Sequence, residues 1–180
     1  MPNCPNLPDW VGAAGEKVQS LARAAILSCF SLLESTVSGL GRAHEMTHPT
    51  LTARDRKILI NNHGPLLERL FDVPTLIAGN APPLHKESLP LSKLFGEIKQ
   101  RRDAFMHCEP GDQEARAGFV KQDRFHDVTP DVVDDAVKLT VEVIQVLWQH
   151  VHGVDKGPAW LRNLGNRSSY RPGLRVIPNE

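Results

Sequence analysis

The sequence predicts an all-α fold: a small helical bundle with two long helices, a motif-bearing internal helix and shorter side helices. Apolar residues recur every three or four positions over several turns in stretches that begin near Glu16, Leu91 and Thr129. No stretch alternates apolar and polar residues with the two-residue period of a half-buried strand. Proline, glycine and capping side chains fall between the periodic stretches.

The first element is expected to be an extended arm over residues 1–15, because Pro2, Pro5 and Pro8 cannot continue a helix. From Glu16 the row Val18, Leu21, Ala25, Cys29, Leu32, Thr36 and Leu40, with Ala22, Ile26, Leu33 and Val37 beside it, predicts a long helix. Gly39 and Gly41 are expected to weaken its far end, and Pro49 to stop it. Thr52 with Asp55 predicts a capped start for a short helix over Arg56 to Asn62, which Gly64-Pro65 breaks. Leu66 to Phe71 predicts a further helix, with Val73 to Ala78 adding a turn. The run from Gly79 to Pro90 predicts a loop, with Ser88 as a cap and Pro90 in a first helical turn. Leu91, Leu94, Phe95, Ile98 and Phe105 then define the buried face of the internal helix. Residues after His107 lack a sustained period and are expected to form a loop. Thr129 as N-cap, Pro130 in the first turn and Asp131, Asp134 and Asp135 at the positive end of the dipole start the second long helix. Val133, Ala136, Val137, Thr140, Val143, Ile144, Leu147 and Val151 form its apolar face, and Gly153 ends it. The helical domain is thus expected over 16–153. A basic, flexible tail is expected over 154–180, in which Trp160 and Leu161 dock as a short turn.

Acidic and basic residues number 21 each, so no field of the whole chain draws it to nucleic acid or an anionic membrane. Such a ligand must be captured locally. Cys4, Cys29 and Cys108 are odd in number and form no CxxC pair, which argues against a disulfide framework and a cysteine zinc site. The prolines near the N-terminus stand where a signal peptide needs an apolar run, and no later stretch is expected to span a bilayer. The expectation is a cytoplasmic protein without a membrane partner.

Two constellations carry chemistry. His44-Glu45-Met46-Thr47-His48 is a literal H-E-x-x-H, whose histidines lie about 40° apart on an ideal helix. Both would bind zinc while Glu45 activates water as the base. Glu68, twenty residues beyond His48, stands in register as a third ligand, an arrangement similar to the gluzincin metalloproteases, with Asp72 four residues further on. Pro49, Gly39 and Gly41 weigh against a rigid ligand helix, so a zinc metallopeptidase is kept as an alternative.

The second constellation is Arg102-Asp103-Ala104-Phe105-Met106-His107, at the end of the internal helix. A guanidinium there can bind an oxyanion through paired N–H donors. An imidazole titrates near neutral pH and can serve as a general acid or base. Arg101 is placed to hold a neighbouring phosphate. In the plainest structural role Arg102 would pair with Glu34, and His107 would cap a helix end. On an ideal helix Arg102 and His107 point about 140° apart, so convergence within one chain requires the helix to loosen before His107.

Arg102 to His107 resembles the R-x4-H motif of the HEPN superfamily, including the polar residue directly after the arginine. The first long helix, RAAILSCFSLLESTV, and the last, TPDVVDDAVKLTVEVIQVLWQHV, resemble the flanking helices of that family's bundle. Cys108-Glu109 before Pro110 departs from its usual pattern. The resemblance implies a metal-independent endoribonuclease that needs no cofactor, with Arg102 and His107 catalytic and Asp103 orienting one of them. It implies a toxin or RNA-restriction effector, RNA as ligand, a homodimer with a composite site, and an antitoxin or other partner protein. Non-catalytic members of the family imply an alternative, an RNA- or protein-binding module.

Overall fold

The computed structural model describes residues 9–60, 64–79, 82–106, 128–153 and 161, without the side chains of residues 9–14 and of Phe105. Every regular element among the described residues is a helix. Helix α1 spans Asp9–Thr47, α2 Ala53–Ile60 and α3 Leu66–Ala78. The internal helix, α4, is built of α-turns over Leu91–Lys93, a π-turn over Leu94–Ile98 and α-turns over Lys99–Met106. Helix α5 spans Pro130–His152. The bundle agrees with the expected class.

Helix α1 is the spine: α2, α3, α4 and α5 all pack on it, and α3 and the π-turn of α4 also meet α5. It begins at Asp9, inside the stretch expected to be an extended arm, and runs unbroken through Gly39 and Gly41 to Thr47. Pro49 stops it as expected. Its buried row is Ala22, Ile26, Cys29, Phe30, Leu33, Val37 and Leu40, whereas Val18 and Leu21 are exposed. Residues Gly15–Thr47 are long and apolar enough to cross a membrane by length and composition, which corrects the expectation that no stretch is. In the bundle this apolar row is the face that lines the core, as in a core helix.

Helix α2 starts where Thr52 predicts, since the Asp55 N–H donates to Thr52 Oγ1 at 3.1 Å and that hydroxyl donates to the Asp55 carboxylate at 2.7 Å. Helix α3 is continuous through Phe71 and Ala78 with Pro74 buried inside it, and Gly79, at φ 67°, closes it. Arg69 is buried on α3 and donates through Nη2 to Ser38 Oγ at 2.6 Å, tying α3 to α1. Ser88 does not cap α4 through its side chain: its hydroxyl donates to the His85 carbonyl, and Pro90 precedes the helix. Leu91, Leu94 and Ile98 are fully buried. Lys93 Nζ donates to Asp135 at 2.6 Å, linking α4 to α5 at the surface.

Helix α5 follows the sequence most closely. Thr129 Oγ1 accepts from the Val132 N–H at 3.4 Å, Pro130 occupies the first turn, and Gly153, at φ 90°, ends the helix. Ala136, Leu139, Thr140, Val143, Ile144 and Leu147 are buried, while Val137 is exposed. Thr129→Ala is expected to cost about 1 kcal/mol in urea unfolding, the usual loss for an N-cap. Leu161 is buried in the core, in agreement with the docked turn expected there within the tail. Residues 1–8 and the rest of 154–180 lie outside the described residues.

Candidate functional site

The site at the end of α4 is assembled by two helices. Arg102 Nε and Nη2 donate to Asp103 Oδ1 at 2.9 and 2.6 Å. The guanidinium carbon stands 4.5 Å from the centre of the Phe30 ring, on α1. A guanidinium over an aromatic face is held by the ring quadrupole and by lost hydration, at about 0.5–1 kcal/mol or more. Phe30 is itself braced edge-on by Phe95 of α4, with ring centres 5.9 Å apart. Lys99 Nζ donates to Asp103 Oδ2, so one carboxylate sits between two cations. Arg102 is thus fixed in direction before any ligand arrives. Its partner is Asp103, and Glu34 is exposed.

Two features of this site are not evident from the six-residue motif. Lys99 is a half-exposed i,i+4 partner of Asp103, a spacing legible in sequence. Phe30 comes from a helix seventy residues away and carries no local signal. The π-turn just before the site leaves the Lys99 N–H bonded to the Leu94 carbonyl, and such turns gather near functional sites. Arg101 donates to the Glu97 carbonyl at 3.5 Å and lies on the same turn as Arg102. From Lys99 to Met106, α4 carries Lys99, Arg101 and Arg102 against the single carboxylate of Asp103. The helix is unbroken to Met106, and His107, Cys108, Glu109 and Pro110 lie outside the described residues.

Burial alone would raise the Asp103 carboxyl, but the hydrogen bonds and charges of Lys99 and Arg102 outweigh it and hold the group below its ordinary 3.8. The folded pKa is the lower one, so the stabilisation is complete above 3.8 and is lost as pH falls through the folded value. The difference in melting temperature between wild type and Asp103→Asn is therefore expected to be steady at neutral pH and to shrink only below 3.8. Melting curves across acid pH check this.

The H-E-x-x-H residues lie elsewhere, at the far end of α1. The His44 and His48 rings are stacked, with centres 3.9 Å apart and planes 19° from parallel. Zinc lies in the plane of each imidazole that binds it, about 2.0–2.1 Å from the nitrogen, and two nearly parallel planes so spaced share no such point. His48, just past the helix end, places Nδ1 3.0 Å from the His44 carbonyl. Glu45 is ion-paired with Arg56 at 3.2 Å. Burial and the neighbouring His48 lower the His44 pKa. Glu68 lies on α3 with Asp72, lining an open pocket of about 310 Å³ beside Phe71 and His85. Among the described residues no three His, Cys, Asp or Glu side chains gather to hold a metal. The zinc site kept as an alternative on His44, His48 and Glu68 is not assembled among the described residues, because the helix end stacks its histidines and turns Glu45 to an arginine.

Cys29 is free and buried, and burial pushes its thiol up, with the Thr140 hydroxyl opposing. Such a thiol is a core group and a poor nucleophile. Trp148 packs against the core and leans on His152, with ring centres 4.4 Å apart. Comparison with protein-family models, curated proteins and solved structures finds no match to this chain.

Proposed function

We propose that the chain is a metal-independent endoribonuclease of the HEPN type, with Arg102 as the phosphate-stabilising group, His107 as the acid–base group and Asp103 as the residue that orients the arginine in the free protein. The observation that carries this reading is the immobilised guanidinium: Arg102 is held on one side by Phe30 and along one edge by Asp103. Catalysis by charge stabilisation needs donors whose direction is set before the charge appears. The excess of cations over carboxylates in the last turns of α4 supports an anionic ligand.

In this reading His107 takes the proton of a ribose 2′-hydroxyl, or returns one to the leaving 5′-oxygen, while Arg102 faces the phosphorane. Were α4 to continue past Met106, His107 would point about 140° from Arg102, so the reading includes a homodimer in which each copy supplies one of the two groups to a composite site. A toxin or RNA-restriction role, with an antitoxin or another partner protein, accompanies that assignment. The test is incubation with RNA and with DNA of the same sequence in EDTA. RNA is expected to be cut and DNA to remain whole, because DNA lacks the attacking hydroxyl. RNA left intact overturns the reading.

Two observations favour a second reading, a non-catalytic HEPN-type module that binds RNA or a protein. The helix is unbroken through Met106, and Arg102 is already engaged by Asp103 and Phe30, as a purely structural arginine would be. RNA binding without cleavage in the same assay would select it.

A further inference from the structure

A carboxylate that accepts from a lysine on one oxygen and from two nitrogens of an arginine on the other occupies the position of an oxyanion ligand. Asp103 does so: Lys99 Nζ donates to Oδ2, and Arg102 Nε and Nη2 donate to Oδ1 at 2.9 and 2.6 Å. The three side chains remain partly open to solvent, 40% for Lys99, 20% for Arg102 and 31% for Asp103. Phe30 covers one face of the guanidinium, and the Nε–Nη2 edge converges on the single oxygen Oδ1 of Asp103, so an oxyanion bound on that edge takes the place of that oxygen. Arginine binds carboxylate and phosphate through the same parallel pair of donors, and lysine meets either as a point charge.

We propose that Lys99 and Arg102 form a phosphodiester-binding site whose place is held in the free protein by the Asp103 carboxylate, which RNA phosphate displaces on binding. The inference rests on RNA being the ligand of this site, as in the function proposed above, and adds Lys99 as a binding residue and Asp103 as an internal competitor. The competitor is tethered one helical turn from Lys99, so it is always present at high local concentration. Displacement requires only rotation of the Asp103 side chain. The two cations outnumber the one carboxylate, so the site attracts a second anion even before the carboxylate leaves.

The experiment is fluorescence anisotropy with the full chain and a single-stranded 2′-O-methyl RNA oligonucleotide, which keeps every phosphate and lacks the nucleophile. Asp103→Asn is expected to bind about threefold more tightly than wild type, because an exposed ion pair no longer competes. Lys99→Gln is expected to bind more weakly and to flatten the dependence of log Kd on log salt by about 0.7, the loss of one phosphate contact on a single strand. Thermal melts establish that each variant is folded. Equal or weaker binding by Asp103→Asn overturns the inference, since a carboxylate that only positions Arg102 would be missed. Absence of binding by wild type and both variants overturns it too, together with RNA as the ligand. The binding pattern expected here, in a protein that leaves RNA uncut, retains the site and removes the nuclease. Cleavage without the Asp103→Asn gain removes only this inference.

Discussion

Gly41→Leu is expected to destabilise the protein by several kcal/mol, and Gly41→Ala by about 1–2 kcal/mol, although either residue is a better helix former than glycine. The reason lies in the crossing of α1 and α2. A Cβ on Gly41 would stand 2.2 Å from the carbonyl oxygen of Leu59 and 3.1 Å from its carbonyl carbon. These are backbone atoms of α2, so relief requires moving the helix and with it Leu59, which is fully buried. Gly39, two residues earlier on the same helix, has nothing within 4 Å of such a Cβ. Gly39→Ala is accordingly expected to gain up to about 1 kcal/mol from propensity alone. Urea unfolding of both alanine variants decides the matter. Equal stability of the two would contradict the close approach of α2.

Arg102→Ala is expected to lower RNA cleavage by about 10²–10³-fold, the loss that follows removal of one preorganised charge-stabilising donor. His107→Ala is expected to lower it by about 10²–10⁴-fold, as for loss of a general acid or base. Stability should respond far less to Arg102→Ala. The lost contact over Phe30 is worth about 0.5–1 kcal/mol, and the partly exposed pair with Asp103 a similar amount at most. Arg102→Lys keeps a positive charge without the planar fork, and is expected to retain the fold and remain impaired in cleavage. A purely structural arginine would give a different pattern, in which activity follows the folded fraction and lysine restores both.

The fold was legible wherever a local signal and the tertiary packing agree. Thr129, Pro130 and Gly153 mark both ends of α5, and its apolar period matches the buried face except that Val137 is exposed and Leu139 is buried. In α1 two adjacent rows fit the same period, and which row is buried depends on where α3 and α5 lie, so Val18 and Leu21 fit the period and yet stand exposed. Phe30, which the periodic rows omit, is among the most buried residues and carries the guanidinium of the site. Pro74 suggests a break, yet α3 continues through it with the ring buried. The start of α1 at Asp9 was hidden by Pro2, Pro5 and Pro8, which constrain the chain only up to that point. The π-turn of α4 is a choice of hydrogen-bond partner by one backbone N–H, and no side-chain period records it.

The candidate site was legible in part for the same reason. Arg102, Asp103 and Lys99 are neighbours on one helix, and their association follows from short-range spacing. The support from α1 follows from the bundle alone. In the H-E-x-x-H stretch, spacing predicted two histidines on one face, and they are on one face. That face ends at Pro49, where the rings stack and Glu45 meets Arg56 from α2. Ligand geometry depends on ring direction, which the spacing does not specify.

The central claim is that RNA is cut at this site by attack of its own 2′-hydroxyl. Its most direct measurement is the chemistry of the product ends after incubation of RNA in EDTA, with His107→Ala as the control. A 2′,3′-cyclic phosphate and a 5′-hydroxyl from wild type, both absent with His107→Ala, are the predicted result. Ends bearing a 5′-phosphate, or the same cyclic ends undiminished in the variant, would contradict it.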